Sequence, residues 1–141
     1  MERREVLQGL AVAAVLAASG EVIAQAAHHD HTVPHQALVK TASDCVAKGD
    51  VCLTHCIDLL STGDKSLADC AKSVNQMLAV CQALSSLAAQ NAPALPKMAS
   101  LAAETCKSCE AECRKHEKHP QCKDCADACA ACAAECKKVI A

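Results

Sequence analysis

No phenylalanine, tyrosine or tryptophan occurs anywhere in these 141 residues. A domain of this length normally fills its interior with such side chains, each burying roughly 150–250 Å². Their absence also removes the ring faces on which unpaired bases stack. Basic residues are no more abundant than acidic ones, with 14 Lys and Arg against 16 Asp and Glu for a net charge of −2. Without a basic excess and without aromatics, nucleic acid is excluded as a partner. Valine, isoleucine and threonine never cluster in a strand-like alternation, which argues against a β-fold. No apolar run reaches the about 20 residues that a membrane-spanning helix needs. No Ser-His-Asp grouping, paired carboxylates or phosphate loop stands out, so an enzyme is not expected.

Cysteine is what the chain has in excess, with 13 copies. Their spacing matters more than their number. Cys122, Cys125, Cys129, Cys132 and Cys136 follow at gaps of three, four, three and four. Such gaps return to one side of a helix with about 3.6 residues per turn. Alanine, leucine, lysine, glutamate and glutamine dominate the flanking sequence and favour helices. The breaks at Ser61–Asp64, Asn91–Pro93 and His119–Pro120 delimit four helical segments, at about 35–60, 65–89, 96–116 and 120–139. The first carries Cys45, Cys52 and Cys56, the second Cys70 and Cys81, and the third Cys106, Cys109 and Cys113. Every segment therefore has one stripe of thiols, while Lys123, Asp124, Asp127, Glu135 and Lys137 fall between the beats. The fold class this predicts is all-α, an antiparallel up-down four-helix bundle over residues 35–141 with the cysteines lining its core. Gly49, in the middle of the first helix, is its weakest point.

The N-terminus reads separately. Arg3-Arg4 precedes the uncharged run Gly9–Ala18, and the pattern resembles a twin-arginine (Tat) export signal. Residues 1–26 are read as this signal and flexible start, with cleavage after Ser19 or Ala26. Residues 27–34 are a tail containing His28, His29 and His31. Export through the Tat translocase, already folded, to the periplasm or another extracytoplasmic compartment is the expectation.

Three chemistries compete for the stripes. A disulfide-stapled structural bundle leaves one thiol over, because 13 is odd, and neighbours on one rigid helix bridge only with strain. Iron–sulfur clusters are disfavoured, since the C-x2-C-x2-C-x3-C-P run is missing. A metallothionein-like holder of zinc or mixed metals needs ligands by fours. Each such zinc site would leave two negative charges buried, with no lysine or arginine on the stripes to offset them. Cu(I) instead cancels one thiolate per ion, is soft, and favours thiolate and thioether ligands. Pairs one turn apart suit it: Cys52 with Cys56, Cys109 with Cys113, Cys125 with Cys129, and Cys132 with Cys136. Cysteine and alanine alone would underpack a bundle axis, which leaves room for several such ions.

These stripes, the Cys-x3-Cys pairs, the missing aromatics and the twin-arginine start together resemble the exported copper storage proteins of bacteria, over essentially the whole chain after the signal. The resemblance implies a four-helix bundle holding more than ten Cu(I) ions, commonly a homotetramer. It further implies supply to copper-recipient enzymes such as membrane methane monooxygenase, with all thirteen cysteines as ligands.

Antiparallel packing would place His55, His116 and His119 at one end, above Cys56, Cys70, Cys113 and Cys122. Copper is expected to pass there, with His55 the leading non-thiol ligand. Exported relatives often carry methionines around such a mouth, where this chain has Leu59, Thr62 and Leu67. Leu38, Leu84, Leu95 and Val139 or Ile140 are expected to close the other end. Met77 and Met98 are read as gap-fillers, the usual role of methionine in a bundle core.

Overall fold

The computed structural model describes residues 32–140. The stretch expected to be an export signal, residues 1–26, and the tail histidines His28, His29 and His31 lie outside the described residues. Four helices follow one another: α1 (Gln36–Ser61), α2 (Ala68–Ala89), α3 (Leu95–Arg114) and α4 (Pro120–Ile140). Each packs against two neighbours in the ring order α1, α2, α3, α4. Short connections make successive helices antiparallel, as expected for an up-down bundle.

The helix ends follow from local chemistry. Gly63 takes φ 88°, and the Gly63 and Asp64 amides donate to the Leu60 and Leu59 carbonyls at 3.0 and 3.1 Å. This is a Schellman termination of α1, with glycine where the left-handed conformation costs least. Asn91 does the same for α2 at φ 48°, with Asn91 and Ala92 amides donating to Ala88 and Leu87. Asparagine tolerates that region better than most residues. Pro96 lies in the first turn of α3, and Pro120 opens α4, where a missing N–H removes no helical bond.

Two boundaries differ from the sequence expectation. α2 begins at Ala68 rather than near Lys65, because Asp64 Oδ1 accepts the Ser66 amide at 2.8 Å and holds the preceding residues in a turn. α3 ends at Arg114, and the His119 amide donating to the His116 carbonyl at 2.9 Å turns the chain into α4.

The interior is built of small apolar groups. Apart from the thiols it holds nine alanines, five leucines, Val74 and Met77, and no polar or charged side chain is buried among the described residues. Gly49 is buried in mid-helix, and its reason is steric. A Cβ there would lie 2.6 Å from Met77 Cε and 2.8 Å from Leu78 Cδ2. The glycine costs α1 about 1 kcal/mol of helix propensity against alanine and in return lets α2 approach. Outside the core, Arg114 joins Glu110 and Glu117 to Asp127 of α4 at 3.3, 2.9 and 2.7 Å. Exposed pairs of this kind contribute about 0–1 kcal/mol each, so the bundle rests chiefly on burial.

Candidate metal centre

All thirteen cysteines are free thiols with no solvent exposure. The helical beat read from the sequence thus places every sulfur on the axis. Their Sγ atoms form a continuous series. Nearest the His116–His119 connection, Cys52, Cys56, Cys70 and Cys122 lie within 4.8 Å of one another. Cys52 also belongs to a group with Cys113 and Cys125, and Cys125 to a further group with Cys109 and Cys129. Cys129 then approaches Cys45 at 3.6 Å, and Cys45 belongs to a last group with Cys81, Cys106 and Cys132. Cys136 is in none of these groups, and the neighbouring Cys132 is the chief cause that raises its pKa.

Many of the shortest sulfur contacts run between helices. Cys81 meets Cys106 at 3.5 Å, Cys70 meets Cys113 at 3.6 Å and Cys52 meets Cys122 at 3.8 Å. Of the pairs within one helix that the sequence suggests, Cys109 and Cys113 lie 3.9 Å apart, and Cys52–Cys56 and Cys125–Cys129 share groups, whereas Cys132–Cys136 does not. The structure therefore favours ligand sets drawn from several helices at once.

Burial and mutual hydrogen bonding set the thiol acidities. Desolvation leads in pushing Cys56 up to about 11 and Cys122 up to about 12, because a thiolate loses its hydration there. Deeper in, thiol–thiol hydrogen bonds lead. The bond with Cys129 brings Cys106 down to about 5, and that with Cys106 brings Cys132 down to about 5. Cys129 is driven up in turn, first by Cys106 and then by Cys109. A thiolate ringed by S–H donors is stabilised only while those donors keep their protons, so the empty core resists full deprotonation. A soft monovalent cation removes that obstacle by replacing protons one for one.

At the end where the α1–α2 and α3–α4 connections lie, His55 Nε2 is 3.0 Å from His119 Nδ1, with ring centroids 4.9 Å apart. Burial, and next the neighbouring His55, hold the His119 imidazolium below its usual range. A neutral ring keeps a lone pair for a passing metal. His55 joins none of the four thiol groups; it lines an external cleft with Asp50, Thr54, Asp58 and Gln121. His116 faces Glu112 instead, at 3.6 Å. Leu67 is fully buried where α2 begins, and Leu59 packs partly buried against the core. At the far end Leu38, Leu84 and Leu95 are buried. Of the two closing candidates, Val139 packs on that core while Ile140 is 45% exposed.

One sulfur that the sequence assigns to gap-filling lies against the thiol file. Met77 Sδ lies 3.3 Å from Cys45 Sγ, buried. Its signal was its place on the α2 stripe, Cys70, Val74, Met77, Cys81, at gaps of four, three and four.

A four-helix bundle whose interior is a file of free thiols, with imidazoles at one end and leucines at the other, is by its chemistry a container for soft metal ions. The match to the copper storage protein family over residues 30–141 makes this specific, and the chain belongs to that family. It is similar to the apo form of copper storage protein 3 from Bacillus subtilis, at 27% identity and TM-score 0.66, over 74% of this chain and 97% of that one. It is equally similar to the Cu(I)-bound copper storage protein BsCsp3, at 26% identity and TM-score 0.67, over 74% and 96%. The comparison with curated proteins gives no match.

Proposed function

We propose that this bundle stores Cu(I), many ions per chain, on thiolates that include all thirteen cysteines. One observation carries the reading: thirteen thiols without solvent exposure, in a core that holds no charged side chain among the described residues. Burying uncompensated thiolates would cost several kcal/mol each. Only a cation of charge one, loaded close to one per sulfur, leaves such a core near neutral. Membership of the copper storage family and the likeness to a Cu(I)-bound relative support the same choice of metal.

Zinc is the second reading, and one feature favours it. Cys45, Cys81, Cys106 and Cys132 form one four-sulfur group and Cys52, Cys56, Cys70 and Cys122 another, with no shared member. That is the ligand count of a structural zinc site. Two filled sites would leave four negative charges in a core without a buried cation, and Cu(I) is preferred on that ground. Anaerobic titration against a competing Cu(I) chelator decides between them. Copper storage predicts tight uptake of a number of ions close to the 13 thiols with helicity retained. Saturation at two or three Zn²⁺, with only weak Cu(I) binding, would reject it.

The proposal extends to compartment and partners. The Arg3-Arg4 start and the apolar run behind it support Tat export of the folded chain. Exposed Val51, Ile57 and Leu101 support self-association, for which a homotetramer is proposed. The stored copper is for supply to copper enzymes or for protection, without catalysis by the bundle itself. The His55–His119 pair is proposed as the first contact for ions moving in or out.

A further inference from the structure

We infer that Met77 is a fourteenth sulfur ligand, its thioether completing a mid-bundle Cu(I) site with Cys45 and Cys129. The inference rests on the copper reading above and adds to it a neutral ligand.

Three observations converge on Met77. Its Sδ is 3.3 Å from Cys45 Sγ, and Cys45 Sγ is 3.6 Å from Cys129 Sγ. All three side chains are fully buried. The site therefore has its sulfurs gathered on three helices before any ion arrives. Next, α2 is the helix poorest in thiols, with two against five on α4. Met77 stands on its stripe at a beat where the other helices offer cysteine, so it supplies sulfur to a stretch that would otherwise lack it on this side. Finally, Gly49 gives the methionine its place. A Cβ at 49 would lie 2.6 Å from Met77 Cε. The S-methyl group thus occupies the space vacated on α1, while the sulfur lies against Cys45.

The chemistry balances without a redox step. Cu⁺ binds as the Cys45 thiol loses its proton to solvent, and Met77 adds a lone pair with no proton to lose. The copper–Cys45–Met77 unit is neutral, which suits a core with no buried charge. Thioether is among the ligands Cu(I) favours. Cys129 joins as a third sulfur when it too loses its proton to solvent, its negative charge matched by a neighbouring Cu⁺ that it bridges.

Selenium absorption spectroscopy tests this directly. The chain has three methionines, so two selenomethionine-labelled proteins are loaded anaerobically with Cu(I), one carrying Met98→Leu and the other Met77→Leu. The Met1 label is common to both, and both swaps conserve side-chain volume, which cores tolerate best. The expected result is a copper neighbour in the selenium scattering of the Met98→Leu protein that is lost in the Met77→Leu protein. Full copper loading of the Met98→Leu protein without a copper–selenium distance would overturn the assignment and leave copper storage standing. Failure of both proteins to take up Cu(I), while remaining helical, would overturn both.

Discussion

At the end where the α1–α2 and α3–α4 connections meet, the interior is sulfur beneath a pair of imidazoles. At the other end, where α2 turns into α3, it is leucine and alanine. Cys56, Cys70, Cys113 and Cys122 line the first, and Leu38, Ala42, Leu84, Ala88, Leu95 and Ala99 fill the second, all buried. Both materials exclude water equally well, so burial does not distinguish them. What differs is what each can bind. The aliphatic end holds the helices together by packing alone. The sulfur end contributes less bulk and leaves a path along which soft cations have ligands at every step. Holding strength and holding capacity are thus segregated along one axis.

That segregation can be broken from either side. Replacing all five α4 cysteines (Cys122, Cys125, Cys129, Cys132 and Cys136) with alanine should give the largest effect. Copper capacity in a chelator competition should fall by at least five ions per chain, since α4 contributes five of the 13 sulfurs. Unchanged capacity would remove the α4 stripe from the store.

The converse change is Leu84→Ala at the closed end. It should lower apo-protein stability by about 2–5 kcal/mol, as such buried truncations do, read by denaturant unfolding. Capacity should stay intact once the protein is loaded below its unfolding midpoint. Loss of capacity there would mean that the two ends are not separate.

Acidity comes next. Cys56 and Cys122 titrate at about 11 and about 12, so both are protonated throughout pH 6–8, and each copper they bind must release a proton. Lowering the pH should therefore weaken that copper by about tenfold per unit, or about 1.4 kcal/mol. Copper on Cys106 and Cys132, each at about 5, should respond less. The measurement is chelator competition across that range for variants that keep only one of the two pairs, with the chelator's own protonation accounted for. Equal slopes would contradict the assigned acidities.

The smallest effect is expected for His55→Ala. Loading and unloading rates in stopped-flow chelator exchange should slow a few-fold, or under about 1 kcal/mol in barrier, with capacity unchanged. Identical rates would take the histidine pair out of the transfer path.

The stripes were legible in the sequence because a period of about 3.6 residues survives any tertiary arrangement. Cys122 to Cys136 alone was enough to show which face of α4 turns inward. The helix breaks were legible for the same local reason, since Gly63 and Asn91 adopt backbone conformations that most residues avoid. What periodicity cannot carry is the rotation and axial offset of one helix against another. Those decide that Cys81 meets Cys106 and that Cys45 meets Cys129, and spacing within a single helix is silent on both. Gly49 shows the limit clearly. In sequence it weakens a helix, and only the position of Met77 and Leu78 on the facing helix explains why it is there. Topology brings His55 and His119 to the same end of the bundle, but that their rings meet at 3.0 Å while His116 turns to Glu112 is set by side-chain placement that spacing does not carry.

The closeness of the sulfurs carries a hazard. Cys81 and Cys106, 3.5 Å apart, need only surrender two electrons and two protons to an oxidant to become covalently joined. Each such event would withdraw two ligands together, so damage to an empty protein proceeds in even steps. An odd complement of 13 leaves one sulfur unpaired even when every other has been consumed, and a filled core, its lone pairs already committed to metal, presents the oxidant with far less to attack.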